Sequence, residues 1–227
     1  MMTGMLYLIL TLGVYFTVKT IYKKWSKVYL SPLLITPLVL VVFLLSSGVP
    51  YESYNMGGQW LSDLLQPATV AFAVPLYKHF KILKKHAVEI IASVLFGSIV
   101  AMISSIYLGK WMHLSSSLVT SLVPRSITTP IAINVSEVIG GVPNITAVFV
   151  IITGLLGTII GPSVLRIFHF DSEVARGILL GTSAHGMGTS KAFELSSLSG
   201  TISSISMILA ALFTLGMAPY MMTMLLN

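Results

Sequence analysis

The sequence predicts an all-α polytopic membrane protein, and three observations carry that prediction. The chain is 55% hydrophobic and only 9% charged, with mean hydropathy +0.92, whereas a soluble domain carries about 25% charged residues. Apolar stretches of roughly 20 residues, the length that crosses a bilayer, recur from end to end. Most of the 13 Lys and Arg residues fall in short clusters between those stretches. The net charge of +6 therefore reads as membrane topology and not as nucleic-acid binding. The sequence implies a single integral membrane domain, residues 1–227, with about 7–8 transmembrane segments. Two of these look broken or re-entrant, and internal repeats are possible.

The segments follow in order. Thr3–Ile21 and Leu30–Gly48 are plain apolar spans. Leu61–Tyr77 holds Pro67 and Pro75, and proline disturbs a helix. Ala87–Leu108 is long and uninterrupted. Leu114–Ile133 is irregular and polar, Ile145–Leu165 is plain, Val174–Ala192 is glycine-rich, and Thr201–Leu226 closes the chain. Lys19, Lys23, Lys24 and Lys27 follow the first span, and Lys78, Lys81, Lys84 and Lys85 follow the third. The positive-inside rule puts both clusters in the cytoplasm and the N-terminus outside. The loop between them, Val49–Trp60, has Glu52 and no Lys or Arg. If the fifth segment crosses, Arg166 and Arg176 fall outside; if it is a hairpin, they return to the cytoplasm. There is also an internal echo. Gly97 follows Pro67 by 30 positions, and Gly154 follows Pro124 by 30. A broken element followed by a long helix is a repeat of the kind transporters use.

Several function classes fall away. Without cysteine there is no disulfide, thiolate metal site or cysteine nucleophile. The first apolar run is too long for a cleavable leader, and no small-residue cleavage site follows it. There is no phosphate loop, no His-Glu-x-x-His and no paired carboxylates in one segment. His79, His86, His113 and His169 stand at span ends without ligand spacing. Neither an enzyme nor a cofactor or metal site is expected, and the period-two alternation of a porin is absent.

Two constellations remain. The first is Ser121-Leu-Val-Pro-Arg-Ser-Ile-Thr-Thr-Pro130, which puts Arg125 among Ser126, Thr128 and Thr129. A guanidinium near the middle of a membrane segment costs between roughly 2.5 and 17 kcal/mol, so it needs a watery cavity, an internal partner or an anion. Irregular backbone survives at that depth only in protein or beside a polar cavity. A guanidinium with hydroxyls suits a carboxylate, which it pairs in a bidentate fork. The competing reading is that Arg125 snorkels to an interface or pairs with Glu137 or Glu194. The second constellation is Gly181-Thr-Ser-Ala-His-Gly-Met-Gly-Thr-Ser-Lys-Ala192. Here Gly186 and Gly188 adjoin His185, with hydroxyls at Thr182, Ser183, Thr189 and Ser190. Glycine permits close backbone approach and positive φ, and successive exposed amides form an anion-binding concavity. Histidine titrates near neutral pH and could carry a coupling proton. The competing reading is small-residue helix packing. Gln66 and Thr69 in the proline-framed third span are a weaker candidate, better read as part of a kinked packing helix.

Pro67-Ala-Thr-Val-Ala-Phe-Ala-Val-Pro-Leu-Tyr77, Ser126-Ile-Thr-Thr-Pro-Ile-Ala132 and the Gly181–Ala192 stretch resemble the three signature stretches of the LrgB/CidB family, in order and spacing. The resemblance covers nearly the whole chain. It implies a bacterial inner-membrane protein with a small-monocarboxylate link of the pyruvate or glycolate type. It also implies a small LrgA/CidA-type membrane partner. The alternative it implies is an antiholin-like or holin-like regulator of murein hydrolase activity and cell lysis. Homo-oligomers are possible. Of these readings the sequence favours transport, because a holin-like pore needs simple helices and not two broken polar segments around an arginine.

Overall fold

The computed structural model describes residues 2–25, 30–64, 67, 70, 71 and 73–226. They are helical, with no strand among the described residues. Among the described residues four helices are long and apolar enough to cross a membrane: Thr3–Lys24, Ala87–Trp111, Pro143–Ile167 and Ser197–Met224. The chain packs as two compact units, Met1–Ala73 and Val74–Asn227.

The helices of the first unit with described bounds are α1 (Met2–Lys24), α2 (Pro32–Ser47) and α3 (Tyr51–Asp63). α2 is shorter than the span expected there, at 16 residues or about 24 Å. It stops at Gly48, which takes a left-handed φ of +64°. The expected loop Val49–Trp60 is largely α3. Tyr54 of α3 lies edge-on to Tyr7 and shares a 3.0 Å hydrogen bond with Thr11 of α1. Gly4 and Gly57 meet so closely that a Cβ on Gly57 would collide with the Gly4 carbonyl. The expected span Leu61–Tyr77 is not one long helix. α3 ends at Asp63 with a turn at Leu64, the described Pro67, Val70 and Ala71 are helical, a short helix covers Ala73–Lys78, and Gln66 and Thr69 lie outside the described residues.

The second unit opens with two short helices, α4 (Ala73–Lys78) and α5 (Phe80–Lys85), and the long α6 (Ala87–Trp111). Then come α7 (Ser116–Leu122), α8 (Thr129–Val138) and a second long helix, α9 (Pro143–Ile167). It ends with α10 (Glu173–Leu195) and α11 (Ser197–Leu226).

The irregular fifth segment is a hairpin and not a crossing helix. α7 runs back along the end of α6, with Val119 against Gly109 and Arg125 against Ser105. α8 then returns to the level of Ser121, near the end of α7. There Thr146 of α9 bonds both the Ser121 carbonyl (3.0 Å) and Ser136 Oγ (2.7 Å), and the Val142 amide donates to Ser121 Oγ (2.7 Å). Both arms are thus tied to the start of α9, and residues 123–128 form the inward tip.

α10 is a second hairpin. Its helix breaks at Ala184 (φ −132°, ψ 16°) and His185 (φ 40°, ψ −130°). The two arms fold together until a Cβ on Gly188 would collide with the Leu180 carbonyl. In a continuous helix those residues would be about 12 Å apart. Both ends lie at the same end of α11, since Ser199 donates to the Glu173 carbonyl at 3.0 Å while the second arm runs directly into Ser197. The tip lies beside the middle of α9, where His185 Nε2 bonds the Val150 carbonyl at 3.0 Å.

The two halves of this unit repeat. α6 and α9 each have 25 residues and start 56 positions apart, at 87 and 143. Each ends in a histidine with positive φ, His113 (54°) and His169 (51°), again 56 apart. Both ends carry the same pair of closing bonds. His113 and Leu114 amides reach the Lys110 and Gly109 carbonyls, and His169 and Phe170 amides reach Arg166 and Leu165. This is a Schellman closure with histidine where glycine is usual. Each closure is followed by a serine N-cap, Ser115 or Ser172, and a hairpin. α6 and α9 run in opposite directions, so the hairpins enter from opposite ends and the repeat is inverted.

Candidate functional site

The site is built on the middle of α6. One face of this helix is buried (Val94, Ser98, Met102, Ser105). The flanking face, Ser93, Phe96, Gly97, Val100 and Ala101, forms one wall of an open groove of about 600 Å³. The opposite wall is the first arm of α10, from Ala175 to Ser183, with Phe170 at its foot. Gly97 makes room for this approach, because a Cβ there would sit 3.0 Å from the Thr182 methyl group. Arg125 and Ser126, from the tip of the α7–α8 hairpin, complete the lining. The groove therefore joins residues of both sequence constellations: Arg125 and Ser126 from one, Thr182 and Ser183 from the other.

Arg125 is half-buried in the turn between α7 and α8. Its Nε donates to Ser105 Oγ at 3.0 Å, and Ser105 donates its own proton to the Ala101 carbonyl at 2.7 Å. The serine thus acts as acceptor and fixes the plane of the guanidinium. Among the described residues the terminal NH₂ groups have no hydrogen-bond partner, and no ion pair includes Arg125. The internal partners considered from sequence are elsewhere. Glu194 pairs with Lys191 at 2.6 Å, and Glu137 is exposed on α8. Thr182 adds a buried hydroxyl oxygen without a hydrogen-bond partner among the described residues. The groove wall thus holds a fixed cation with no acidic partner among the described residues, with an unsatisfied hydroxyl buried behind it.

The other sequence candidates lie outside the lining. Thr128 is the N-cap of α8 without a side-chain capping bond, and Thr129 is its first residue. His185 is 5% exposed and faces α9, against Gly154. Its ring ties the hairpin tip to the Val150 carbonyl and does not line the groove. Thr189 shares a 2.9 Å bond with Ser203 of α11. Gly188 allows the two arms to meet, and Gly186 faces the Met207 sulfur at 3.9 Å. Ser105 is the residue that sequence reasoning missed. Its only signal was a hydroxyl pair, Ser104 and Ser105, inside an otherwise apolar span.

Two hairpins that enter from opposite ends, one tip beside α6 and the other beside α9, define a multi-pass membrane protein with an inverted internal repeat. Comparison with known proteins makes the assignment specific: the LrgB-like family matches residues 11–224, and the chain belongs to that family. It is 63% identical to the protein YwbG of Bacillus subtilis (strain 168), over 98% of this chain and 99% of that one. It is 38% identical to a "Holin-like protein CidB" of Staphylococcus epidermidis (strain ATCC 12228 / FDA PCI 1200), over 95% and 94%. It is 36% identical to a protein of the same name in Staphylococcus aureus (strain N315), over 95% and 94%. No solved structure matches the chain.

Proposed function

We propose that the chain conducts a small monocarboxylate, of the pyruvate or glycolate type, across the bacterial inner membrane. The single observation behind this is Arg125, anchored through Nε, with no acidic partner among the described residues, and lining a groove shared by both hairpins. The substrate carboxylate docks on the free NH₂ groups in a bidentate fork. Ser126 supplies a hydroxyl for the remaining oxygens, while the Ser183 proton is held by the Leu179 carbonyl at 2.6 Å. Inverted repeats with broken helices meeting at mid-membrane are the framework of many secondary transporters, which rock one repeat against the other.

Orientation is part of the proposal. His79 Nε2 lies 3.2 Å from Ser197 Oγ, so the Lys78–Lys85 cluster shares an end of the second unit with the feet of α10, near Arg166 and Arg176. Gathering these cations at one end supports a cytoplasmic assignment for that end. By the same rule the Lys19–Lys27 cluster after the first span favours an outside N-terminus, and the whole chain is proposed to work as one membrane domain.

A second reading is a holin-like regulator of murein hydrolase activity and lysis. The names of the staphylococcal relatives support it more directly than they support transport. A small LrgA/CidA-type protein is the proposed partner in either case. Uptake of labelled pyruvate or glycolate into proteoliposomes, with and without that partner, separates the two. Saturable uptake supports transport. Non-saturable leakage of unrelated solutes supports a holin-like pore.

A further inference from the structure

We infer that α4 and α5 form a docking surface for the phosphodiester headgroup of an anionic phospholipid. The observations are independent of the groove. Lys78, Lys81, Lys84 and Lys85 are all exposed, and none forms an ion pair among the described residues. On α5, Lys81 precedes Lys84 and Lys85 by three and four positions, the spacing of one helix face, and Lys78 ends α4 three positions earlier. The nearby carboxylate Glu89 is already held by His86 at 2.7 Å. The opposite face is fixed to the protein: Leu83 is buried in the core, Leu76 packs against the same cluster, and His79 reaches Ser197. Tyr77 and Phe80 are 83% and 57% exposed and stand beside the lysines. With Lys78, His79, Lys81 and Ile82 they line an open groove of about 460 Å³.

This is the layout of an interfacial helix. Aromatic rings and lysine stems lie at headgroup level, and the ammonium groups reach phosphate. The patch directly precedes α6, so it stands where lipid phosphates are dense. Its contact with Ser197 joins it to the start of α11 and to the foot of the α10 hairpin, through the Ser199 bond to Glu173. A bound headgroup would therefore brace the hairpin from below.

The test uses the full chain, purified in neutral detergent and titrated with phosphatidylglycerol, phosphatidylcholine or inorganic phosphate. Thermal unfolding and lipid retention in native mass spectrometry are the readouts. Phosphatidylglycerol is expected to raise the Tm and to be retained, while phosphatidylcholine does neither. Lys81→Gln and Lys85→Gln are each expected to weaken apparent phosphatidylglycerol affinity about fivefold, from roughly 1 kcal/mol per lysine near an anionic surface. Single substitutions leave three lysines to direct insertion, and Lys81→Arg should keep the affinity. The effect should fade at about 0.5 M salt. Equal stabilisation by phosphatidylcholine, or by inorganic phosphate, overturns the inference. So does unchanged phosphatidylglycerol affinity in both glutamine variants.

Discussion

Gly188→Ala tests the hairpin in α10 without reference to function. A Cβ at this position collides with the Leu180 carbonyl and sits 2.8 Å from the Ala184 Cβ. Neither is the far end of a flexible side chain, so an arm of the hairpin must move. Forcing an extra methyl into a packed interior costs about 1–3 kcal/mol. Gly216→Ala is the matched control, because nothing lies within 4 Å of a Cβ there. In a helix interior that change gains about 0.5–1 kcal/mol. The two variants should therefore differ by at least about 1.5 kcal/mol. At about 2–4 °C per kcal/mol, that is a gap of about 3 °C or more in detergent unfolding. Were α10 a straight crossing helix, residues 180 and 188 would be about 12 Å apart. Both alanines would then behave alike. A Gly188→Ala protein that melts with Gly216→Ala, or above it, refutes the hairpin.

Other expectations concern the site and the topology. Arg125→Lys keeps the charge but loses the fork and the Nε bond to Ser105. A lost charged hydrogen bond of about 1.5–3 kcal/mol should weaken apparent substrate affinity about 10- to 150-fold, read as the KM of uptake. Ser105→Ala leaves the guanidinium in place but frees its plane, and should raise KM by a smaller factor with expression unchanged. His185→Ala removes the Val150 bond and should lower the unfolding midpoint while uptake KM stays within about twofold, since the ring does not line the groove; a large KM change would return His185 to the site. Single cysteines at Lys24 and Lys84, in a chain with none of its own, should resist an impermeant thiol reagent on intact cells. Ready labelling from outside would reverse the proposed orientation.

The class of fold was legible because spanning a bilayer leaves a length and composition signature that α1, α6, α9 and α11 all carry. The hairpins were legible only as anomalies. Pro124 and the glycines of α10 marked broken backbone, but whether each segment crossed or returned depended on contacts far apart in sequence, such as Thr146 with Ser121 and Ser136. The repeat showed as a 57-position echo, Gly97 to Gly154, beside the 56-position spacing of the helices themselves. Its clearer mark lies at the helix ends: Lys110-Trp-Met-His113 and Arg166-Ile-Phe-His169 close the two long helices, each with a histidine where glycine is the usual left-handed cap. At the site, Arg125 stood out because a charge in an apolar segment needs compensation. Ser105 did not, because a single hydroxyl that bonds its own helix is common in spans. His185 drew attention through its chemistry, yet its neighbours Gly154 and Val150 make it the clasp of a tight bend.

The most direct measurement is uptake of labelled pyruvate or glycolate by the purified chain in proteoliposomes, alone and with an LrgA/CidA-type protein, for wild type and Arg125→Ala. Saturable uptake by wild type, competed by unlabelled monocarboxylates and lost in a folded Arg125→Ala protein, is the expected result. Equal uptake by Arg125→Ala, or no saturable uptake by wild type in either preparation, would contradict a carboxylate passage built on Arg125.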